Sequence, residues 1–246
     1  MDNVVKDTLI QLAEIYENPG FLVNDPSWFM HQVQGLLNQE TMAFIASSLS
    51  YGNRKMFFPK IERVRQASNG EVYQWVRNGS FLNDIPADDE CFYRLYTNRT
   101  FRNYLIVLQQ LLLKYKSIGQ YVADNSKDGF GAVKSIVDYF SRNGVSGIIP
   151  KNTTSSCKRI CMFLRWMVRD GSPVDLGIWS SFIDKRTLIM PLDVHVVEEA
   201  RCMGFFPGRS VSMNAAQKLT LKMKEVFPDD PLKGDFALFG YGVNKD

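Results

Sequence analysis

Cysteine and histidine are scarce in this chain of 246 residues: four cysteines, Cys91, Cys157, Cys161 and Cys202, and two histidines, His31 and His195. No C-x-x-C pair occurs, and although Cys157 and Cys161 would share one helix face, a zinc site needs two further ligands. No metal and no cofactor are expected, and the thiols should be buried and reduced. Long apolar runs are missing too, none approaching the roughly 20 residues of a bilayer span. The first periodic segment carries Asp2, Lys6, Asp7 and Glu14, which is not the basic-then-apolar order of a signal peptide. A soluble, cytoplasmic protein with no membrane partner is the expectation. Neither sign of charge dominates: 29 Lys and Arg stand against 26 Asp and Glu, a net charge of +3. That balance permits a polyanionic partner without demanding one, so clustering matters more than the total. Internal repeats, low-complexity tracts and strictly alternating strand patterns are all absent.

What the chain does have is helical periodicity along nearly its whole length. Met42, Ile45, Ala46 and Leu49 line one stripe; Phe101, Tyr104, Leu105, Leu108, Leu111, Leu112 and Tyr115 line a longer one that breaks at Ser117-Ile118-Gly119. Phe130, Val133, Ile136, Val137 and Phe140 form a third, and Ile160, Phe163, Leu164, Met167 and Val168 a fourth, for which Ser155 and Ser156 are N-cap candidates. A helix capped by Asp193 carries Val194, Val197 and Ala200 to Gly204; another starts at Ser212 or Asn214, and the last follows the Asp230-Pro231 pair and presents Leu232, Phe236 and Phe239. The fold expected is all-α and two-lobed. The Gly- and Pro-punctuated stretch from Asn143 to Pro150 marks a junction, with residues 28–146 as the first lobe and residues 1–27 plus 147–246 as the second.

Two of these helix starts carry chemistry. Lys158 falls in a first turn, where the positive end of the peptide dipoles favours a neutral amine, and Asp193 sits where a carboxylate caps free N–H groups and stays ionised. An amine paired with a carboxylate suits imine chemistry or the stabilisation of a cation. The plain alternatives are an exposed helix lysine and a structural cap. A second cluster, Tyr51-Gly52-Asn53-Arg54, is followed by Lys55, Lys60, Arg63 and Arg65 interleaved with Phe57 and Phe58, the mixture of charge and aromatic surface that nucleic-acid contacts use. Its alternative is a solvated helix with a basic face. Trp166 and Trp179 read as core, and Arg159, Arg165 and Arg169 as possible phosphate contacts on differing helix faces.

Three blocks, in order, resemble the helix-hairpin-helix DNA glycosylase superfamily, which includes 8-oxoguanine DNA glycosylase and endonuclease III. Met42 to Arg54 is similar to the early helix and polar loop of the 8-oxoguanine branch; Ser156-Cys157-Lys158-Arg159-Ile160-Cys161 lies where the superfamily has its hairpin and catalytic lysine; Pro191-Leu192-Asp193-Val194-His195-Val196 is similar to the segment with the catalytic aspartate. Over almost its full length the chain also resembles a bacterial family of this general type, through Phe163 to Met167, Val174 to Trp179 and Asp235 to Gly240. The superfamily's glycine-containing hairpin turn is replaced here by Asn152-Thr153-Thr154-Ser155-Ser156, and 35 residues separate lysine from aspartate, about twice the usual number, with an insert near Asp170 to Thr187. No cysteine follows Cys202, so the iron–sulfur cluster of endonuclease III relatives is not expected.

The resemblance implies a DNA base-excision enzyme, an N-glycosylase with abasic-site lyase activity. Lys158 and Asp193 would be catalytic with His195 in support, while Tyr51, Asn53, Arg54, Lys55, Ser155, Ser156 and Arg159 would contact a duplex with a flipped base. Two other readings remain open: a non-catalytic nucleic-acid-binding protein of the same fold, and an enzyme acting on RNA or a small molecule, hinted at by Asp175 and Trp179 in the insert.

Overall fold

The structure, a computed structural model, describes residues 1–244. The protein is mostly helical. In chain order the helices are α1 (Asn3–Tyr16), α2 (Leu36–Leu49), α3 (Arg54–Ala67), α4 (Val72–Arg77), α5 (Phe81–Asp84), α6 (Asn98–Tyr115), α7 (Ile118–Asn125) and α8 (Gly129–Arg142). Then follow α9 (Lys158–Val168), α10 (Val194–Cys202), α11 (Met213–Lys224) and α12 (Lys233–Asp235), the last continuing through a π-helical turn at Phe236–Gly240. Between α5 and α6 lies what the periodicity missed, an antiparallel hairpin of β1 (Cys91–Tyr93) and β2 (Tyr96–Thr97). Among the described residues no helix is long and apolar enough to cross a membrane.

Chain contacts divide the molecule into two compact units, one of Met1–Val23, Lys127–Val133 and Thr153–Asp246, the other of Asn24–Ser126 and Lys134–Asn152. In the second, α2 is buried from Glu40 to Leu49, far more than the single stripe its apolar residues suggest. Its polar groups are matched rather than exposed. The Glu40 carboxylate accepts the amides of Ile118 and Gly119 at 2.8 and 2.9 Å, capping α7, and the hydroxyls of Ser48 and Tyr104 meet at 3.1 Å. Phe44, Tyr104 and Phe140 pack ring on ring with centroids 5.3–6.0 Å apart, and Phe101 extends the series to Phe92 of the hairpin at 4.2 Å. Hydrophobic burial thus fixes β1 although its sequence is too short to announce a strand.

The other unit is built around α9, which is buried from Ile160 to Val168 apart from half-buried Met162. Arg165 and Arg169, one turn apart, are buried with it and do not face solvent phosphate. Arg169 donates to Asp230 at 2.8–3.1 Å and to Glu17 at 2.8 Å, Arg165 donates to Asp175 at 3.2 Å, and the pairs Arg169–Asp175 and Arg165–Asp235 are in closer contact still. Two guanidiniums therefore gather four carboxylates from α1, the insert and the C-terminal segment. Burial alone would lower the Arg169 pKa, but Asp175, Asp230 and Glu17 outweigh it and hold the cation more firmly charged.

This arrangement corrects one expectation. Asp230 is an ion-pair partner and not the cap of the last helix, which starts at Lys233 after Leu232. Trp179 is buried, as its sequence reads, Asp175 is enclosed between the arginines, and the amides of Leu176 and Trp179 donate to the carbonyls of Trp166 and Met167 at 2.7 Å, finishing the C-terminus of α9. The π-helical turn packs tightly on α1; a Cβ at Gly240 would stand 2.5 Å from Cγ of Tyr16.

Candidate functional site

Lys158 opens α9, as its position predicts, but neither serine caps the helix. The N-cap is Cys157, held in the left-handed region at φ 49° and making no side-chain capping bond. Ser156 is buried and its hydroxyl donates to the carbonyl of Leu192 at 2.9 Å, so it has no hydroxyl to offer a phosphate. Ser155 is exposed, and its backbone bridges to Ser212 at the start of α11. The chain upstream of α9 is thereby fastened beside the residue that precedes Asp193.

Asp193 is the N-cap of α10. One carboxylate oxygen accepts the amide of Val196 at 2.9 Å, while the other accepts the ammonium of Lys158 in a short contact. The two side chains are 34 % and 16 % exposed, so the pair is open to solvent on the lysine side. Burial pushes the Asp193 carboxyl up, but the charge and hydrogen bond of Lys158, the Val196 amide and the field of His195 hold it below its ordinary value. His195 itself is exposed on the first turn of α10. Arg159, next to the lysine, is half-buried.

The sequence did not single out two residues of this site. The Phe239 ring lies with its centroid 5.4 Å from the Lys158 ammonium, a cation–π contact from the π-helical turn. Four residues earlier, Asp235 is enclosed against Arg165; burial drives its carboxyl above the ordinary value, opposed by Arg165 and by Lys158. The only sequence signal was the Asp235 to Gly240 block, which carried no role. Cys161 donates its thiol to the Ser156 carbonyl at 3.5 Å, and burial pushes it and Cys157 towards the neutral thiol. Among the described residues no group of three or more His, Cys, Asp or Glu is placed to hold a metal ion. Cys91 and Cys202 are exposed free thiols where burial was expected.

In the other unit, the Tyr51 to Lys55 segment is exposed apart from half-buried Arg54, and Asn53 caps α3 by accepting the Lys55 amide at 2.9 Å. The β1–β2 hairpin supports it. Tyr93 donates its hydroxyl to the Tyr51 carbonyl, and the Arg94 guanidinium lies 4.8 Å over the Tyr51 ring. Gly52 suits the turn there through its φ of +84°, and the Arg94 guanidinium lies in the space that a Cβ would take. The basic stripe that follows is weaker than it reads. Arg65 is paired with Glu62 at 2.6 Å, Lys60 and Arg63 lie over Phe92, and Phe57 and Phe58 pack together at 5.5 Å.

The chain belongs to the family described as "Protein of unknown function (DUF2400)", which matches residues 25–244. No curated protein and no solved structure matches it.

Proposed function

We propose that the protein is a DNA base-excision enzyme of the helix-hairpin-helix glycosylase type, an N-glycosylase with abasic-site lyase activity through an imine on Lys158. The observation that carries this reading is the contact between Lys158 and Asp193, which come from two helix starts 35 residues apart and share a partly open site. A carboxylate held ionised at that point suits two tasks: it accepts the lysine proton, and it stabilises positive charge that builds on a sugar as a glycosidic bond breaks.

The neutral Lys158 amine would attack C1′ of the deoxyribose while the bond to the base breaks, its electron pair leaving with the base, which takes up a proton. Opening of the sugar ring then breaks the bond between C1′ and the ring oxygen, which is protonated, and yields a protonated imine. Loss of a C2′ proton expels the 3′ phosphate, and water hydrolyses the imine to regenerate the amine. The Phe239 ring covers one side of the amine.

Borohydride trapping tests the reading. Duplexes carrying an abasic site, an oxidised purine, uracil or an alkylated base are offered to the full chain; a covalent adduct with at least one is expected, and Lys158→Gln should abolish it. Salt-dependent DNA binding with no adduct or product, unchanged by Lys158→Gln and Asp193→Asn, would identify a binding protein in place of an enzyme.

A further inference from the structure

The hairpin tip is the place where the molecule exposes apolar surface most openly. Leu95 is 79 % exposed, more than any other large apolar side chain described, although its neighbours Phe92, Tyr93 and Tyr96 are buried. Two-residue hairpin turns ordinarily take Asn, Asp or Gly. Here the tip reads Arg94-Leu95, and Arg94 holds φ 51°, a region costly for a side chain of its size. Neither residue is what folding the hairpin requires.

The tip is tied to the segment beside it, and both carry cations. Arg94 reaches back over the exposed Tyr51 ring, Tyr93 fixes the Tyr51 backbone, and Gly52 makes room for the guanidinium. The tip and the Tyr51 to Lys55 segment are therefore one surface, carrying Arg54, Lys55 and Arg94. No acidic residue occurs from Ser50 to Lys60 or from Cys91 to Thr97. A single projecting apolar side chain flanked by cations matches a polyanion with a gap between stacked rings. Proteins that open a duplex insert such wedges between base steps while cations hold the phosphates on either side.

We infer that Leu95 is a wedge that enters the base stack of duplex DNA where a nucleotide is missing or displaced, with Arg94, Arg54 and Lys55 on the flanking phosphates and Tyr51 as a stacking surface. This rests on the reading that DNA is the substrate, and it assigns the opening of the duplex to the hairpin and not to the loop alone.

The test uses a duplex with 2-aminopurine beside a non-reactive abasic analogue, and the same duplex without the gap. The protein should raise the 2-aminopurine fluorescence of the gapped duplex. Leu95→Ala should remove most of that rise and weaken binding to the gapped duplex by about tenfold, the size of one lost leucine contact, leaving binding to the intact duplex as it was. Leu95→Phe should restore the signal. Arg94→Ala should instead weaken both duplexes and lower the salt slope by about one. Because Leu95 and Arg94 are exposed, circular dichroism should find all three variants folded. Leu95→Ala that unstacks the gapped duplex as the unaltered chain does overturns the inference. Trapping by the unaltered chain separates the two readings: an adduct with no Leu95 effect sinks the wedge alone, a Leu95 effect with no adduct sinks the lysine chemistry alone, and no binding to either duplex sinks both.

Discussion

The Ser156 hydroxyl donates to the Leu192 carbonyl at 2.9 Å, a bond that bridges 36 residues of sequence. It sits two positions before Lys158 and one before Asp193. The insert between the two helices can therefore be long without loosening the pair, since the closure is made beside the site itself.

Ser156→Ala leaves the buried Leu192 carbonyl without its donor and should cost about 1–3 kcal/mol of stability. Trapping should fall more than the stability loss accounts for, because the amine and the carboxylate lose their common anchor. Ser155→Ala, at an exposed position, should be near neutral in urea unfolding and in trapping alike.

Asp193 and Asp235 should bend the stability–pH curve in opposite directions. Asp193 is held below its ordinary value, so its contribution is present above about pH 4 and is lost as pH falls through the depressed value. Asp235 is pushed above its ordinary value, so its contribution is present below about pH 4 and is lost as pH rises through the raised value. Urea midpoints collected from neutral pH into acid should show Asp193→Asn with a flatter acid loss than the unaltered chain and Asp235→Asn with a steeper one. Asparagine remains a good N-cap, so Asp193→Ala should lose about 1 kcal/mol more than Asp193→Asn.

Removing Arg169 strands carboxylates in the interior. Arg169→Met should cost about 3–5 kcal/mol in urea unfolding, because Asp230 and Asp175 lose their shared cation. Adding Asp230→Leu to that variant should recover part of the loss. A double variant no more stable than Arg169→Met would place the cost in packing and not in unpaired charge.

What the sequence disclosed was local. Asp193 as a helix cap, the break between α6 and α7, and the burial of Trp166 and Trp179 all follow from signals a few residues wide. The Cys157 cap was hidden because a left-handed cysteine has no sequence signature, and the serines beside it fit the usual rule. Arg165 and Arg169 read as outward-facing cations because their partners, Glu17, Asp175, Asp230 and Asp235, are scattered over more than two hundred residues and nothing in α9 names them. The hairpin was lost for a similar reason. Two cross-strand pairs and an Arg-Leu turn give no alternation to detect, and what fixes β1 is the stacking of Phe92 on Phe101.

The π-helical turn at Phe236–Gly240 has a consequence for how this family can vary. A π turn holds one residue more than an α turn, so a single deletion that relaxed it to a regular α turn would re-aim the residues within it by up to about 100°. Phe239 would swing away from Lys158 and Gly240 from Tyr16, although no residue that touches the amine had been replaced. Length in this short segment is thus under a tighter constraint than composition: an aromatic exchanged for another aromatic keeps the site, whereas a gap of one residue dismantles it.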